Sequence, residues 1–223
     1  MSIYQIAIDG PSGSGKSTLA KGVARKLGIM YLDTGAMYRT CGLAALKERI
    51  DPKDEAAVKT LMDNMKLEVK FVDGEQHMIL NGEDVTDQIR TPQVSVAASD
   101  ISALPVVRTA MVNMQRDIAR QQSFVLDGRD IASNVLPNAK YKFYVTAKAS
   151  TRAERRLAEL QERGDFSQSY EDVLRDIEYR DEQDSNRLSA PLVKVPEAIV
   201  INTDENSIEM TQEVLLSSIN EVD

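Results

Sequence analysis

Residues 3–8, IYQIAI, form an apolar run of strand length that stops at Asp9 and Gly10. GPSGSGKST follows from Gly10 to Thr18 and fits G-x-x-x-x-G-K-S/T, with Gly10, Gly15, Lys16 and Ser17 at the fixed places. Behind it, Leu19, Val23 and Leu27 share one face of a helix that should start near Lys16 and stop at Gly28. Strand, glycine-rich turn and helix in this register leave little freedom. The glycines let the backbone wrap so that amide N–H groups point inward, and the helix brings its positive end to the same spot. Gly10, Pro11, Ser12, Gly13, Ser14, Gly15, Lys16, Ser17 and Thr18 therefore read as a seat for the phosphates of a nucleotide such as ATP. Lys16 can reach the terminal phosphates, and the Ser17 hydroxyl can reach Mg²⁺. The loop alone does not choose between a kinase, a GTPase and a motor ATPase.

Further along, strands and helices alternate. Strands are expected at 29–32, 123–126, 140–147 and 197–202, and helices at 35–49, 53–65, 104–121, 150–163, 169–186 and about 206–220. Such alternation implies an α/β fold with a parallel sheet covered on both faces, here of five core strands. The middle differs. KLEVKFVDGEQHMILNGEDVT nearly alternates around Asp73-Gly74, with Asn81-Gly82 marking a second turn, so a small antiparallel element is expected there.

Composition narrows the partners. A formal net charge of −8 argues against a protein that wraps nucleic acid, while a small anionic ligand needs only local positive charge. No apolar run approaches the ~20 residues of a membrane helix. The start MSIYQIAIDG lacks the pattern of a signal peptide, and the single Cys41 allows no intramolecular disulfide, which fits the cytoplasm. His77 is the only histidine; it reads as an exposed hairpin residue rather than a zinc ligand or a triad base.

A second polar corner stands at LDTGAMYR, residues 32–39, at the end of the second strand, where open α/β sheets bind ligands. Thr34 and Gly35 can open a helix there, with Tyr38 and Arg39 one turn along. SFVLDGRD ends a buried strand in Asp127, an acid placed to hold Mg²⁺ with Ser17, and then Arg129 and Asp130. No guanine-reading N-K-x-D stretch is present, which weakens the GTPase reading. Two readings besides the nucleotide kinase stay open: a kinase for another small metabolite, and a nucleotide-dependent switch.

GPSGSGKST, YLDTGAMYR, IRTPQVSVAAS, VLDGRDIASNVLP and YRDEQDSNRLSAPL occur in that order. Together they resemble the bacterial-type cytidylate kinase family nearly end to end. The resemblance implies a P-loop kinase three-layer fold with a five-stranded parallel sheet, an inserted small antiparallel acceptor-binding domain and a helical lid. The core would span 1–62 and 101–223, the lid about 152–166, and the monophosphate-binding insert 63–100. It implies transfer of the ATP γ-phosphoryl group to CMP or dCMP; a monomer is expected, because a single-chain enzyme needs no partner. Arg39, Arg129 and Arg187 match positions that clamp the acceptor phosphate, and Thr34 keeps a hydroxyl where the family often has Ser. Ser99, Arg108 and Asp130 match base-reading positions, and Arg180 and Asp184 sugar-contacting ones; Tyr38 falls with this acceptor set. Lys16, Asp127, Arg129 and Arg187 would carry the catalysis. In the lid stretch, Arg152, Arg155, Arg156 and Arg163 can close over the phosphates, with Arg156 placed on ATP. The chemistry is coherent: arginine forks bind phosphate bidentately, and cytosine presents an amino donor beside ring acceptors, which suits an Asp and an Arg.

Overall fold

The computed structural model describes residues 3–204 and 206–220. The outermost positions of the expected core segments, 1–2 and 221–223, and Glu205 lie outside the described residues. In chain order the elements are β1 (Gln5–Asp9), α1 (Lys16–Leu27), β2 (Met30–Asp33), α2 (Thr34–Lys47), α3 (Glu55–Asn64), β3 (Leu67–Val72), β4 (Glu75–Leu80) and β5 (Glu83–Asp84). A 3₁₀ turn (Gln88–Arg90), α4 (Pro92–Ile101), α5 (Pro105–Ala119) and β6 (Phe124–Gly128) follow. A π-helical turn (Ile131–Val135), β7 (Tyr141–Thr146), α6 (Ala149–Glu162), α7 (Tyr170–Asn186), β8 (Ile199–Asn202) and α8 (Ile208–Asn220) complete the chain.

The described residues form a five-stranded sheet, ordered β2-β6-β1-β7-β8, with every pair parallel. Alternate side chains of β1 serve opposite layers, as period-2 geometry demands. Ile6 and Ile8 pack with Leu19, Ala20 and Val23 of α1 and Leu215 and Ile219 of α8. Ala7 points the other way, into a cluster with Leu32, Leu126, Met37 of α2 and Met111 of α5. Both faces are thus buried, which is why these strands read as continuous apolar runs. Register aligns the carboxyl ends: Asp33 lies opposite Asp127, and Asp9 opposite Gly128. The polar residues that end these strands therefore meet along one edge.

The small sheet is antiparallel, ordered β3-β4-β5. Its turns are built as the sequence demands: Asp73 and Gly74 have φ of 52° and 82°, Asn81 and Gly82 of 51° and 88°. Positive φ at both central residues matches the twist of a tight hairpin, and Asn and Gly tolerate it best. Leu67, Met78, Leu80 and Val85 join the same apolar cluster as Met37 and Cys41 of α2, so the small sheet shares a core with the large one.

Four elements are additional to the expected ones, the 3₁₀ turn at Gln88–Arg90 among them. Helix α4 carries Ser99, and it is announced by Thr91, whose hydroxyl accepts from the Val94 N–H, with Pro92 in the first turn. It runs to Ile101, just past the segment boundary drawn at 100. Strand β5 is a short continuation of the hairpin. The π-helical turn directly follows Asp130. Helices α6 and α7 pack on each other through Ala153, Leu160, Val173 and Ile177, a small core separate from the sheet.

Candidate functional site

A cleft of about 970 Å³ runs along the carboxyl ends of the strands, lined by the glycine-rich loop, the start of α2, the turn after β6, α4, α6 and α7. At the loop, Gly10, Gly13 and Gly15 have φ of 151°, 73° and 85°. A Cβ on Gly10 would lie 2.0 Å from the Val145 carbonyl oxygen, so no side chain fits there. Helix α1 opens at Lys16 with no side chain capping its first turn. Its leading N–H groups are left for an anion. The Lys16 ammonium is buried and folds back to donate to the Pro11 carbonyl at 3.0 Å. Burial, with Arg129 and Arg180 nearby, lowers its pKa to about 7. A cation held at such a cost in a low-dielectric cleft favours a polyanion.

Asp127 sits between the loop and the second corner. Its Oδ2 accepts from the Ser17 hydroxyl at 2.7 Å and its Oδ1 from the Tyr31 hydroxyl at 2.7 Å. Burial raises its pKa and the Asp33 carboxylate adds to that, against Lys16 and these two donors. A hydroxyl and a carboxylate in contact, next to a phosphate loop, are hard oxygen donors of the kind Mg²⁺ prefers. Thr34 donates its hydroxyl to the Asp127 carbonyl at 2.7 Å, so its proton is spent inward and its lone pairs remain.

The arginines of the expected acceptor clamp come together, each held by a carboxylate. Arg39 donates to Asp33 Oδ2 at 2.8 Å, and Asp33 also caps α2 by accepting from Ala36 N at 2.8 Å. Burial pushes the Asp33 carboxyl up, but Arg39, the Ala36 N–H and Lys16 together outweigh it and the net direction is down. Arg129 donates through Nε to Asp184 Oδ2 at 2.7 Å. Arg187 lies 3.6 Å from Asp184 Oδ1 and 3.4 Å from Asp130 Oδ1, and its Nε donates to the Ala190 carbonyl at 2.7 Å. Arg180 lies among them; burial and the neighbouring Arg129 lower its pKa to about 10. Pairing through one edge of a guanidinium leaves the remaining N–H groups for a ligand.

Beyond the arginines lies the expected base-reading set. Arg108 and Asp130 form a short, buried ion pair, and Asn134 Nδ2 donates to Asp130 Oδ2 at 2.9 Å. The Arg108 guanidinium also lies 5.6 Å from the Tyr38 ring centroid. Tyr38 Oη, Ser99 Oγ, Arg108 Nε, Arg180 Nε and Ser14 Oγ are buried with no hydrogen-bond partner among the described residues. Buried polar atoms are nearly always satisfied; Tyr38, Ser99 and Arg180 line the cleft and Ser14 belongs to its glycine loop, while Arg108 is joined to the cleft through its partner Asp130. They mark where a polar ligand belongs.

The four lid arginines do different things. Arg152 is buried and committed to structure: it donates to the Ser12 carbonyl at 3.0 Å, to the Ala147 carbonyl at 2.9 Å and to Asp181 Oδ1 at 3.0 Å. It braces the glycine loop from behind instead of closing over it. Arg155 is tied to the Thr203 hydroxyl at 3.0 Å. Arg156, paired only with Glu159 on its own helix at 3.2 Å, and Arg163 both line the cleft. Sequence reading also passed over Asp9, a buried acid whose oxygens accept from the Ile131 and Ala132 N–H groups at 2.8 Å each. Burial pushes its pKa up to about 6 against those bonds. It holds the turn that carries Arg129 and Asp130; an acid immediately before the glycine loop was the available signal. A second groove of about 600 Å³ beside α4 is lined by Asp100, Asp165 and Asp176 with no lysine or arginine, so it does not suit a phosphate.

Comparisons with known proteins identify the family. A family model described as cytidylate kinase matches residues 6–221. The cytidylate kinase of Halalkalibacterium halodurans is 48% identical over 218 residues, covering 96% of this chain and 97% of its own. That of Caldicellulosiruptor bescii is 45% identical over 216 residues, covering 96% and 95%. Among solved structures, a shikimate kinase from Bacteroides thetaiotaomicron aligns with a TM-score of 0.52 at 14% identity over 98% of this chain and 99% of its own, a likeness of fold alone. With a matching family model over nearly its whole length and relatives close to half identical, the chain belongs to the cytidylate kinase family.

Proposed function

We propose that the chain moves the γ-phosphoryl group of ATP to CMP or dCMP, giving ADP and CDP or dCDP, with Mg²⁺ held by Ser17 and Asp127. Phosphorylation of CMP or dCMP is the activity of its family. The observation that carries the assignment of roles is the cationic cluster across the cleft from the glycine loop. Arg39, Arg129, Arg180 and Arg187 line the same cleft as Lys16, beside buried polar atoms that have no partner among the described residues.

In this reading the glycine loop and the start of α1 seat the donor phosphates, and Lys16 neutralises the terminal ones. Mg²⁺, when bound, offsets charge on the phosphates. Arg39, Arg129 and Arg187 seat the acceptor phosphate and cancel its repulsion from the donor. Phosphoryl transfer asks little covalent work of a protein, only alignment and positive charge around the moving group. The acceptor oxygen is already an anion, so no general base is required. Asp184 and Arg180 lie where the acceptor sugar joins its phosphate. Asp130 accepts from the cytosine amino group while Arg108 and Ser99 meet the ring acceptors. Uracil would set its carbonyl against Asp130, an unpaired buried contact costing about 1–3 kcal/mol or more. Arg156 closes on ATP from α6 and helps exclude water. The proposed catalytic unit is a monomer. No helix among the described residues is long and apolar enough to cross a membrane. The buried Cys41 thiol, with its pKa raised to about 12 by burial, is compatible with work in the cytoplasm.

The test is ADP release with ATP and Mg²⁺ against a panel of CMP, dCMP, UMP and AMP. Rapid release with CMP or dCMP, slower release with UMP and little with AMP is expected. Equal rates with all of them would leave a general nucleotide kinase and remove the base-reading roles.

A further inference from the structure

Strand β2 is the edge of the large sheet: β6 pairs with one side of it, and no strand of that sheet lies on the other. An open strand edge carries backbone groups in need of partners. At its last residue, Asp33, the partner is a side chain from the small sheet. Gln76, on β4, accepts from the Asp33 N–H at 2.7 Å and donates to the Asp33 carbonyl at 3.2 Å. The amide thus imitates one rung of a β-ladder. The same Asp33 caps α2 and grips Arg39 through its carboxylate.

We propose that Gln76 is a positioning residue for the acceptor phosphate. By fixing the Asp33 backbone it fixes the carboxylate that aims Arg39, and it ties the small antiparallel sheet to the acceptor end of the cleft. The inference rests on the reading of Arg39 as a phosphate-clamping group. Buried apolar packing also joins the hairpin to α2, but its other polar links near this corner are weaker. The neighbouring Glu75 pairs with Lys21 at 3.2 Å, but both side chains are about half exposed, and such pairs contribute little. His77, next along the strand, turns away to Asp84 at 2.7 Å.

The experiment is a double-mutant cycle between Gln76→Ala and Arg39→Ala, with Gln76→Glu as a second probe and steady-state kinetics in CMP and ATP. Gln76 is half-buried on a hairpin, and thermal unfolding checks that each variant folds. Gln76→Ala should raise KM for CMP ~5–10-fold, the loss of two neutral hydrogen bonds, and leave KM for ATP within ~2-fold. Gln76→Glu, which keeps the size but cannot donate to the Asp33 carbonyl, should raise KM for CMP at least as much. In the Arg39→Ala background, Gln76→Ala should add less than ~2-fold. Independent, multiplying effects would overturn the proposal, as would an unchanged KM for CMP or an equal rise in KM for ATP. If Arg39→Ala alone leaves CMP turnover intact, the clamp reading fails and the proposal falls with it. A large Arg39→Ala effect beside a silent Gln76→Ala defeats the proposal only.

Discussion

Replacing Asp130 with Asn tests the base-reading assignment at a single atom. The Asp130 side chain is buried, and its two oxygens are unequally used. Oδ2 accepts from Arg108 and from Asn134, the latter at 2.9 Å, whereas Oδ1 has only Arg187 at 3.4 Å. Oδ1 is therefore the oxygen with capacity for the cytosine amino group. In Asp130→Asn the amide oxygen must stay with the donors of Arg108 and Asn134, because a reversed amide would put its NH₂ against them. The NH₂ then stands where Oδ1 was and faces another donor on cytosine. Losing a hydrogen bond to a charged group costs about 1.5–3 kcal/mol, or ~10–150-fold in kcat/KM for CMP. The same NH₂ suits the uracil carbonyl, and its opposition to the Arg187 donor is common to both acceptors, so UMP should lose less than CMP and the CMP:UMP preference should fall by ~10-fold or more. A coupled assay of ADP release over both acceptors measures this, with thermal unfolding to confirm that the weakened Arg108 partner has not undone the fold. A parallel loss for CMP and UMP, with the preference unchanged, would refute the assignment of Asp130 to the base.

Two further perturbations address the donor side. Because burial and neighbouring cations hold the Lys16 pKa at about 7, the free protein at pH 8 carries this lysine mostly neutral. Phosphate charge restores the proton, so ATP binding should take up most of a proton at pH 8 and much less at pH 6. Calorimetry in buffers of different ionisation enthalpy reads the uptake; Lys16→Met should abolish both it and turnover while keeping the native circular dichroism spectrum. Uptake that is the same in the variant would assign the proton elsewhere. Gly10→Ala places a Cβ 2.0 Å from the Val145 carbonyl oxygen at a φ of 151°, so it must displace the loop from β7. A cost of about 1–3 kcal/mol should lower Tm by several degrees and raise KM for ATP more than KM for CMP. An unshifted melting curve would show that the loop yields freely.

Much of this was legible before any coordinates. The glycine loop, the parallel core and both hairpin turns follow from local rules, because Gly10, Asp73-Gly74 and Asn81-Gly82 sit where few other residues can. The proposed acceptor arginines were picked out because the stretches that hold them resemble those of the cytidylate kinase family. What escaped depends on distant partners. Arg152 and Arg156 look alike on one helical face, yet Asp181 and the Ser12 carbonyl bury the first and leave the second at the cleft. Asp9 reads as the end of a strand until the π-helical turn after Asp130 presents two N–H groups to it. Gln76 is one polar residue of a hairpin until β4 is laid along the open side of β2. Helix α4 was readable, since Thr91 and Pro92 form a cap and a first turn, but its apolar face is short and merges with the run before α5.

The most direct measurement is a crystal structure of the protein with CMP bound. Its phosphate is expected within hydrogen-bonding distance of Arg39, Arg129 and Arg187, with the cytosine amino group on Asp130 Oδ1. A nucleotide whose phosphate lies away from those three guanidinium groups, or whose base lies away from Asp130, would contradict the assignment of the site.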